Sequence, residues 1–415
     1  MSLPLMETRT ENMKSQWLSI AGIGLDGADG LSPLAQSLIA SAELVAGGAR
    51  HLELAAPLIK GERLAWPSPL HNAFPAILAR RGRPVVVLAS GDPFNFGVGK
   101  QIAALVPAHE LACIPQPSSF SLAASRMGWA LQDAACISLH GRALEGLIRH
   151  LQPGARIFAL SWDGSTPAKA ARLLTERGFG ASAFAVLEDL GGPSERVTRG
   201  TARSFELSSV SALNVLAIEA AASADAPIIG LAAGLPDEFY ESDGQLTKRE
   251  VRAVTLAALA PRQGELLWDI GLGSGSIAIE WLLRHPSLKA IGIEEREDRA
   301  ARAMRNALSL GTPDLKIVTG HAPEALRGLP APDAVFIGGG FTGAGVFDAA
   351  WAALRSGGRI AANAVTLESE ARLKQVFDAH GGELVRIEIS RAAKIGGFHG
   401  WRAAMPVTQW RAVKP

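Results

Sequence analysis

Cysteine is nearly absent. The chain of 415 residues has two, Cys113 and Cys136. They form no Cys-x-x-Cys pair and sit in apolar, strand-like runs, so buried inert thiols are expected rather than a disulfide. None of the nine histidines forms an HExxH-type pair, and no metal site is expected. Charge of one sign is also missing. With 41 basic against 40 acidic residues the formal charge is +1, whereas nucleic-acid binders usually carry a strong basic excess. No uncharged apolar run reaches the ~18 residues of a membrane span. The first sixteen residues are polar and lack the apolar core of a signal peptide. A cytoplasmic protein that binds neither nucleic acid nor membrane is expected.

What is present is ordinary for packed globular protein: 48% hydrophobic and 20% charged residues. The length suggests more than one domain. An alanine-rich seam, AASADAP at 221–227, follows the strand-like run 211–220, after which the pattern restarts. Two domains are expected, 15–222 and 228–415. Their glycine motifs differ in spacing, so they are not copies of each other. In both, short apolar runs alternate with helical, alanine-rich stretches. In the second half the runs are 265–271, 289–295, 315–320, 333–339 and 359–365, and only 321–332 is too short for much more than one helical turn. This rhythm predicts an α/β protein with mainly parallel sheets, whose ligands bind at the carboxyl ends of the strands.

The sharpest motif lies where ELLWDIG runs into LGSGS. Asp269, Gly271, Gly273 and Gly275 give D-x-G-x-G-x-G, not the GxGxxG of a dinucleotide site, because position 276 is serine. Such a turn brings backbone close to a ligand and ends on a helix N-terminus. Glu294 closes the next strand, where an acid can accept both hydroxyls of a ribose. A bare strand-to-helix turn with a surface acid would explain each part, but not their combination. Upstream, Thr247 and Glu250 have the spacing of a capping box, and Val251, Val254 and Ala258 would line one face of the helix that follows. Lys248, Arg249 and Arg252 read as solvated charges.

These segments, with GLPDEFYESDGQLTKREVRAV, GHAPEAL, DAVFIGGG and GGRIAANAVTLES, resemble the decarboxylating methyltransferases of corrin synthesis over nearly all of 230–410. The resemblance implies a Rossmann-like class I methyltransferase fold. It places S-adenosylmethionine on Asp269, Gly271, Gly273, Gly275 and Glu294, with Thr247 and Ala322 closing around it.

The first half opens WLSIAGIGLDGADGLSP. Gly22, Gly24 and Gly27 make a literal GxGxxG, so a nicotinamide-binding domain is the obvious rival. Ser32 and Pro33, however, mark an N-cap and first turn five residues beyond Gly27, whereas in a dinucleotide fold the last glycine already lies in the helix. Ser90, Gly91, Asp92 and Pro93 end a strand, Ser118 and Ser119 precede a helix, and ISLHGR follows at 137–142. Singly these are a good turn, a helix cap and surface residues. In this order they resemble the tetrapyrrole methylase family over roughly 17–220, a two-lobed fold with the cofactor in the cleft between its lobes. The resemblance implies cofactor contacts at Gly22, Gly24, Leu25, Ser90, Gly91, Asp92, Ser118 and Ser119. Leu25 stands where the family usually has proline.

Together the resemblances imply one bifunctional enzyme of the aerobic cobalamin route. It would methylate the macrocycle at carbons 5 and 15 and remove carbon dioxide from an acetate side chain. Because the substrate is a small molecule rich in carboxylates, basic residues should line the clefts. The candidates are Arg142 in the first half and Lys248, Arg249, Arg391 and Lys394 in the second. A homo-oligomer is expected. Two other readings stay open: an RNA-modifying methyltransferase, and a module that binds the cofactor without catalysis.

Overall fold

The computed structural model describes residues 16–206 and 209–415. The amino-terminal residues read above as lacking a signal peptide lie outside these up to residue 15. The chain divides into two compact units. One runs to Arg142 and resumes at Gln152–Ala226; the other comprises Ala143–Leu151 and Pro227–Pro415.

The first unit has two sheets. In the first lobe, β1 (Leu18–Ile23), β2 (Leu44–Gly47), β3 (Glu62–Ala65), β4 (Val85–Ser90) and β5 (Leu111–Ile114) form a parallel sheet in the order β3-β2-β4-β1-β5. Its three inner strands, β2, β4 and β1, are nearly continuous apolar runs because both faces are covered. Leu18, Ile20, Val85 and Val87 enter one core, and Ala21, Ile23, Val86 and Leu88 the other. In the second lobe, β6 (Ala134–Ser138), β7 (Arg156–Leu160), β8 (Ala183–Glu188), β9 (Arg196–Thr201) and β10 (Asn214–Glu219) are ordered β6-β7-β10-β8-β9. Here only β6 and β7 are parallel. The expectation of mainly parallel sheets fails in this lobe: β8, β9 and β10 follow one another with no α-helix between them to carry the chain back for parallel pairing. Ser32 caps helix Pro33–Ser41 by accepting from Ala35 N, with proline in its first turn. The two thiols are less buried than expected: Cys113 is exposed and Cys136 intermediate.

The second unit carries a seven-stranded sheet built from β11 (Leu266–Ile270), β12 (Lys289–Glu294), β13 (Lys316–Thr319), β14 (Ala334–Ile337), β15 (Arg359–Ala364), β16 (Glu383–Ile387) and β19 (Val407–Val413), in the order β13-β12-β11-β14-β15-β19-β16. The first five are parallel; β19 runs antiparallel between β15 and β16. The stretch 321–332 holds a single short turn, Glu324–Leu326. A separate ribbon pairs β17 (Ser390–Ile395) with β18 (Phe398–Ala403). Side chains alternate along β11. Leu266, Trp268 and Ile270 enter one core, so Asp269 points to the other face, beneath helix Ser276–Arg284.

The expected capping box does not form. Helix Arg249–Leu259 starts after Lys248, with no side-chain cap. The carbonyl of Thr247 instead accepts from Arg252 Nη1 at 2.5 Å. The buried face is Val251, Arg252, Thr255, Leu256 and Leu259. Val254 is exposed, because the stripe follows i, i+4, i+8 from Val251 rather than passing through 254. Arg252, read as a solvated charge, is fully buried.

Candidate active sites

In the second unit, strand β11 delivers its carboxyl end to the turn 271–275. Gly271 has φ 74°, and a Cβ there would lie 2.6 Å from Gly339 N; only glycine lets the ends of β11 and β14 approach this closely. Gly273 N–H donates to Glu294 Oε2 at 2.8 Å, and Arg296 N–H donates to Oε1 at 3.1 Å. The carboxylate at the end of β12 is thus held by two backbone donors on a cavity wall, with lone pairs to spare for two vicinal hydroxyls.

Asp269 lies under the same turn. Its Oδ2 accepts from Ala278 N at 3.0 Å, and its buried Oδ1 has no partner among the described residues. Burial pushes its carboxyl up to about 8; the Ala278 hydrogen bond opposes this and the Glu294 charge adds to it.

The cavity at this edge is about 910 Å³. Of the expected residues, Thr247, Lys248, Asp269, Gly271, Gly273, Glu294, Ala322 and Arg391 line it. Gly275, Arg249 and Lys394 are not among its lining residues. Gly275 faces Ala303 instead, where a Cβ would stand 3.1 Å from the alanine Cβ. Arg391 is already bonded to Glu250, and Lys248 Nζ stands 3.8 Å from Asp237.

In the first unit a cavity of about 1050 Å³ is lined from both lobes. Gly24, Leu25, Ser90, Gly91, Ser118, Ser119 and Arg142 line it; Gly22 and Asp92 do not. Gly22 acts behind the wall. A Cβ there would fall 1.9 Å from Gly91 O and 2.7 Å from Gln116 N, so its bareness lets the ends of β1, β4 and β5 meet. Asp92 shapes the following loop by accepting from Phe94 N at 2.9 Å. Ser118 caps helix Ser119–Met127, and Ser90 Oγ lies 2.8 Å from His51 Nε2. Burial, aided by the Arg50 charge, pushes this imidazole down to about 4, so it is neutral near pH 7.

Two family models divide the chain along these lines. Residues 18–206 match tetrapyrrole (corrin/porphyrin) methylases, and 238–414 match a precorrin methyltransferase domain. A Sinorhizobium protein named precorrin-6Y C(5,15)-methyltransferase (decarboxylating) is 57% identical over 400 residues, 96% of this chain and 97% of its own length. The chain belongs to this precorrin-6Y C(5,15)-methyltransferase family. A Mycobacterium tuberculosis (strain ATCC 25618 / H37Rv) relative of the same name is 40% identical over 400 residues, covering 95% of this chain and 99% of itself. The solved C-terminal domain of precorrin-6Y C5,15-methyltransferase from Rhodobacter capsulatus is 48% identical, covers 45% of this chain and 100% of itself, and has a TM-score of 0.42.

This family member has lining residues that sequence reasoning missed. In the second unit these include Ser274, Arg299, His321 and Asn363; in the first, Arg50, His51, Phe96 and Trp162. Asp243 fastens the segment before Thr247 to Arg302 at 3.1 Å and Arg299 at 2.9 Å, and these guanidiniums hold its carboxyl far below the usual range. The run of glycines 338–340, visible in the sequence, was a usable signal for the cavity floor; the histidines carried none.

Proposed function

We propose that this chain transfers methyl groups from S-adenosylmethionine to carbons 5 and 15 of precorrin-6Y and removes carbon dioxide from one acetate side chain, giving precorrin-8. What carries this reading is end-to-end similarity to relatives named for two methylations and a decarboxylation, in a chain with a cavity of suitable size in each unit. The tetrapyrrole naming of the relatives and both family models favours this over RNA modification. Action in the cytoplasm and self-association belong to the same proposal.

The residues of the second cavity fit an adenosyl group. Glu294, held by two backbone N–H groups, suits the ribose hydroxyls. The unpartnered Oδ1 of Asp269 leaves a polar group whose need a ligand or water can meet. When bound, the sulfonium supplies an electrophilic methyl group to the electron-rich bridging carbons of the macrocycle. The protein's part is orientation and electrostatics. Lys248, half-exposed on the cavity wall, can hold a substrate carboxylate. We assign decarboxylation to the second unit, where a fixed acetate would have its breaking bond aligned with the conjugated ring. In the first unit Ser90, Ser118, Ser119 and the backbone around Gly24 would hold the cofactor, and Arg142 a substrate carboxylate.

Anaerobic incubation with precorrin-6Y and S-adenosylmethionine, followed by mass spectrometry, tests the reading. Two methyl groups gained and one carbon dioxide lost are expected. Methyl label appearing in RNA, with the tetrapyrrole unchanged, would overturn it.

A further inference from the structure

Phe96 has a left-handed backbone, φ 58°, a conformation that is a genuine outlier for a bulky residue. It lies in a tight loop. Phe94 N–H donates to Asp92 Oδ1 at 2.9 Å, Asn95 N–H to Asp92 O at 3.1 Å, and Gly99 N–H to Pro93 O at 2.8 Å. Glycines stand at 97 and 99, where a Cβ would meet Pro93 O at 2.5 Å. The loop therefore places glycine for close approach, yet has phenylalanine at the position where glycine would be free of strain.

Burial does not explain this choice, because Phe96 is 47% exposed. Its ring lies edge-on to Phe120, 5.7 Å between centroids, with the Arg142 guanidinium 5.6 Å from its centre. Phe120 packs with the second-lobe core, and Arg142 follows β6, so a first-lobe loop rests its ring on second-lobe groups. Phe94 and Trp162 line the same cavity and are also largely exposed, at 53% and 56%. Arg142 is exposed and in no ion pair among the described residues, so its remaining donors are open to an anion. Strained residues cluster where a ligand is clamped.

We propose that Phe96 and Arg142 form a two-part clamp in the first unit. The ring packs on the flat conjugated face of the tetrapyrrole, the guanidinium takes one peripheral carboxylate, and the strain at Phe96 serves binding rather than folding. This rests on the tetrapyrrole reading above.

The test uses the full chain saturated with S-adenosylhomocysteine, which blocks turnover, and titrates it anaerobically with precorrin-6Y. Phe96→Gly removes both strain and ring; Arg142→Gln changes an exposed side chain and leaves the loop intact. Each is expected to weaken one class of tetrapyrrole site by about tenfold, or about 1.4 kcal/mol, while S-adenosylhomocysteine binding stays as in the parent. Phe96→Gly is further expected to melt no lower than the parent, an outcome a folding role does not allow. Unchanged tetrapyrrole affinity in both variants, or a lower melting temperature for Phe96→Gly, overturns the clamp. A parent chain that binds no tetrapyrrole overturns the functional reading itself.

Discussion

Arg252 Nε lies 2.6 Å from Glu280 Oε1, and both side chains are wholly shielded from solvent. The pair is the hub of a clasp. Arg252 also bonds Asp237, at 3.1 Å, and the carbonyls of Thr247 and Leu235, and lies over the Tyr240 ring at 4.7 Å. Glu280 further accepts from Gly234 N, Leu235 N and Tyr240 Oη. The clasp ties the segment 234–247 to the helix that follows the glycine turn. Removing one partner of such a pair strands the other charge in the interior. Arg252→Met should therefore destabilise the second unit by about 3–5 kcal/mol, as read by denaturant unfolding. A loss under 1 kcal/mol would mean that water reaches Glu280.

Glu294→Ala should weaken S-adenosylmethionine binding in the second unit by about 1.5–3 kcal/mol, the range for hydrogen bonds to charged groups. Calorimetry on the full chain should show one site weakened and the other unchanged. Equal weakening of both sites, or of neither, would remove Glu294 from the cofactor site.

Asp269 predicts a pH dependence. Its carboxyl is raised to about 8 in the folded chain, from an ordinary value of 3.8. Between these values the folded state holds a proton that the unfolded state has lost, so stability falls as pH rises, by up to about 1.4 kcal/mol per pH unit. Below about 4 and above about 8 the contribution is flat. Asp269→Asn should remove this slope from a series of melts between pH 5 and 9. A parent melting temperature that rises with pH at every step, unaltered by the substitution, would show that Asp269 is ionised when folded.

Gly271→Val should block the second cavity, since its Cβ would meet Gly339 N at 2.6 Å. The stoichiometry of cofactor binding should fall from two per chain to one. Because decarboxylation is assigned to that unit, the product should gain one methyl group and keep every carboxylate. Carbon dioxide release by this variant would move the decarboxylation to the first unit.

The parts of the sites that sequence made legible are those set by neighbours along the chain. Asp269, the glycine turn and Glu294 follow from strand, turn, helix and strand in succession, and Ser32 and Ser118 cap the helices they precede. The parts it hid depend on distant partners. Arg252 reads as one more helical charge until Glu280 and Asp237, 28 and 15 positions away, enclose it. That same contact defeats the Thr247 capping box, because the guanidinium takes the Thr247 carbonyl and the helix starts two residues later. Arg249 and Lys394 had the right charge, but which way a basic residue on a helix or ribbon faces is decided by packing. Phe96 gave no signal, since a left-handed phenylalanine has no sequence signature.

The order of strands in the second sheet bears on how the chain is made. β19, Val407–Val413, lies inside the sheet between β15 and β16 rather than at its edge. A strand made after β16 is thus the one that joins the parallel block to β16. The first unit has all ten of its strands by Glu219, and domains tend to fold as units in the order they emerge from the ribosome. Until residue 413 is made, the second unit exposes the edge of β15, an unpaired apolar strand open to a neighbouring nascent chain. A stall in translation shortly before residue 407 would leave a folded first unit joined to a sticky, incomplete sheet.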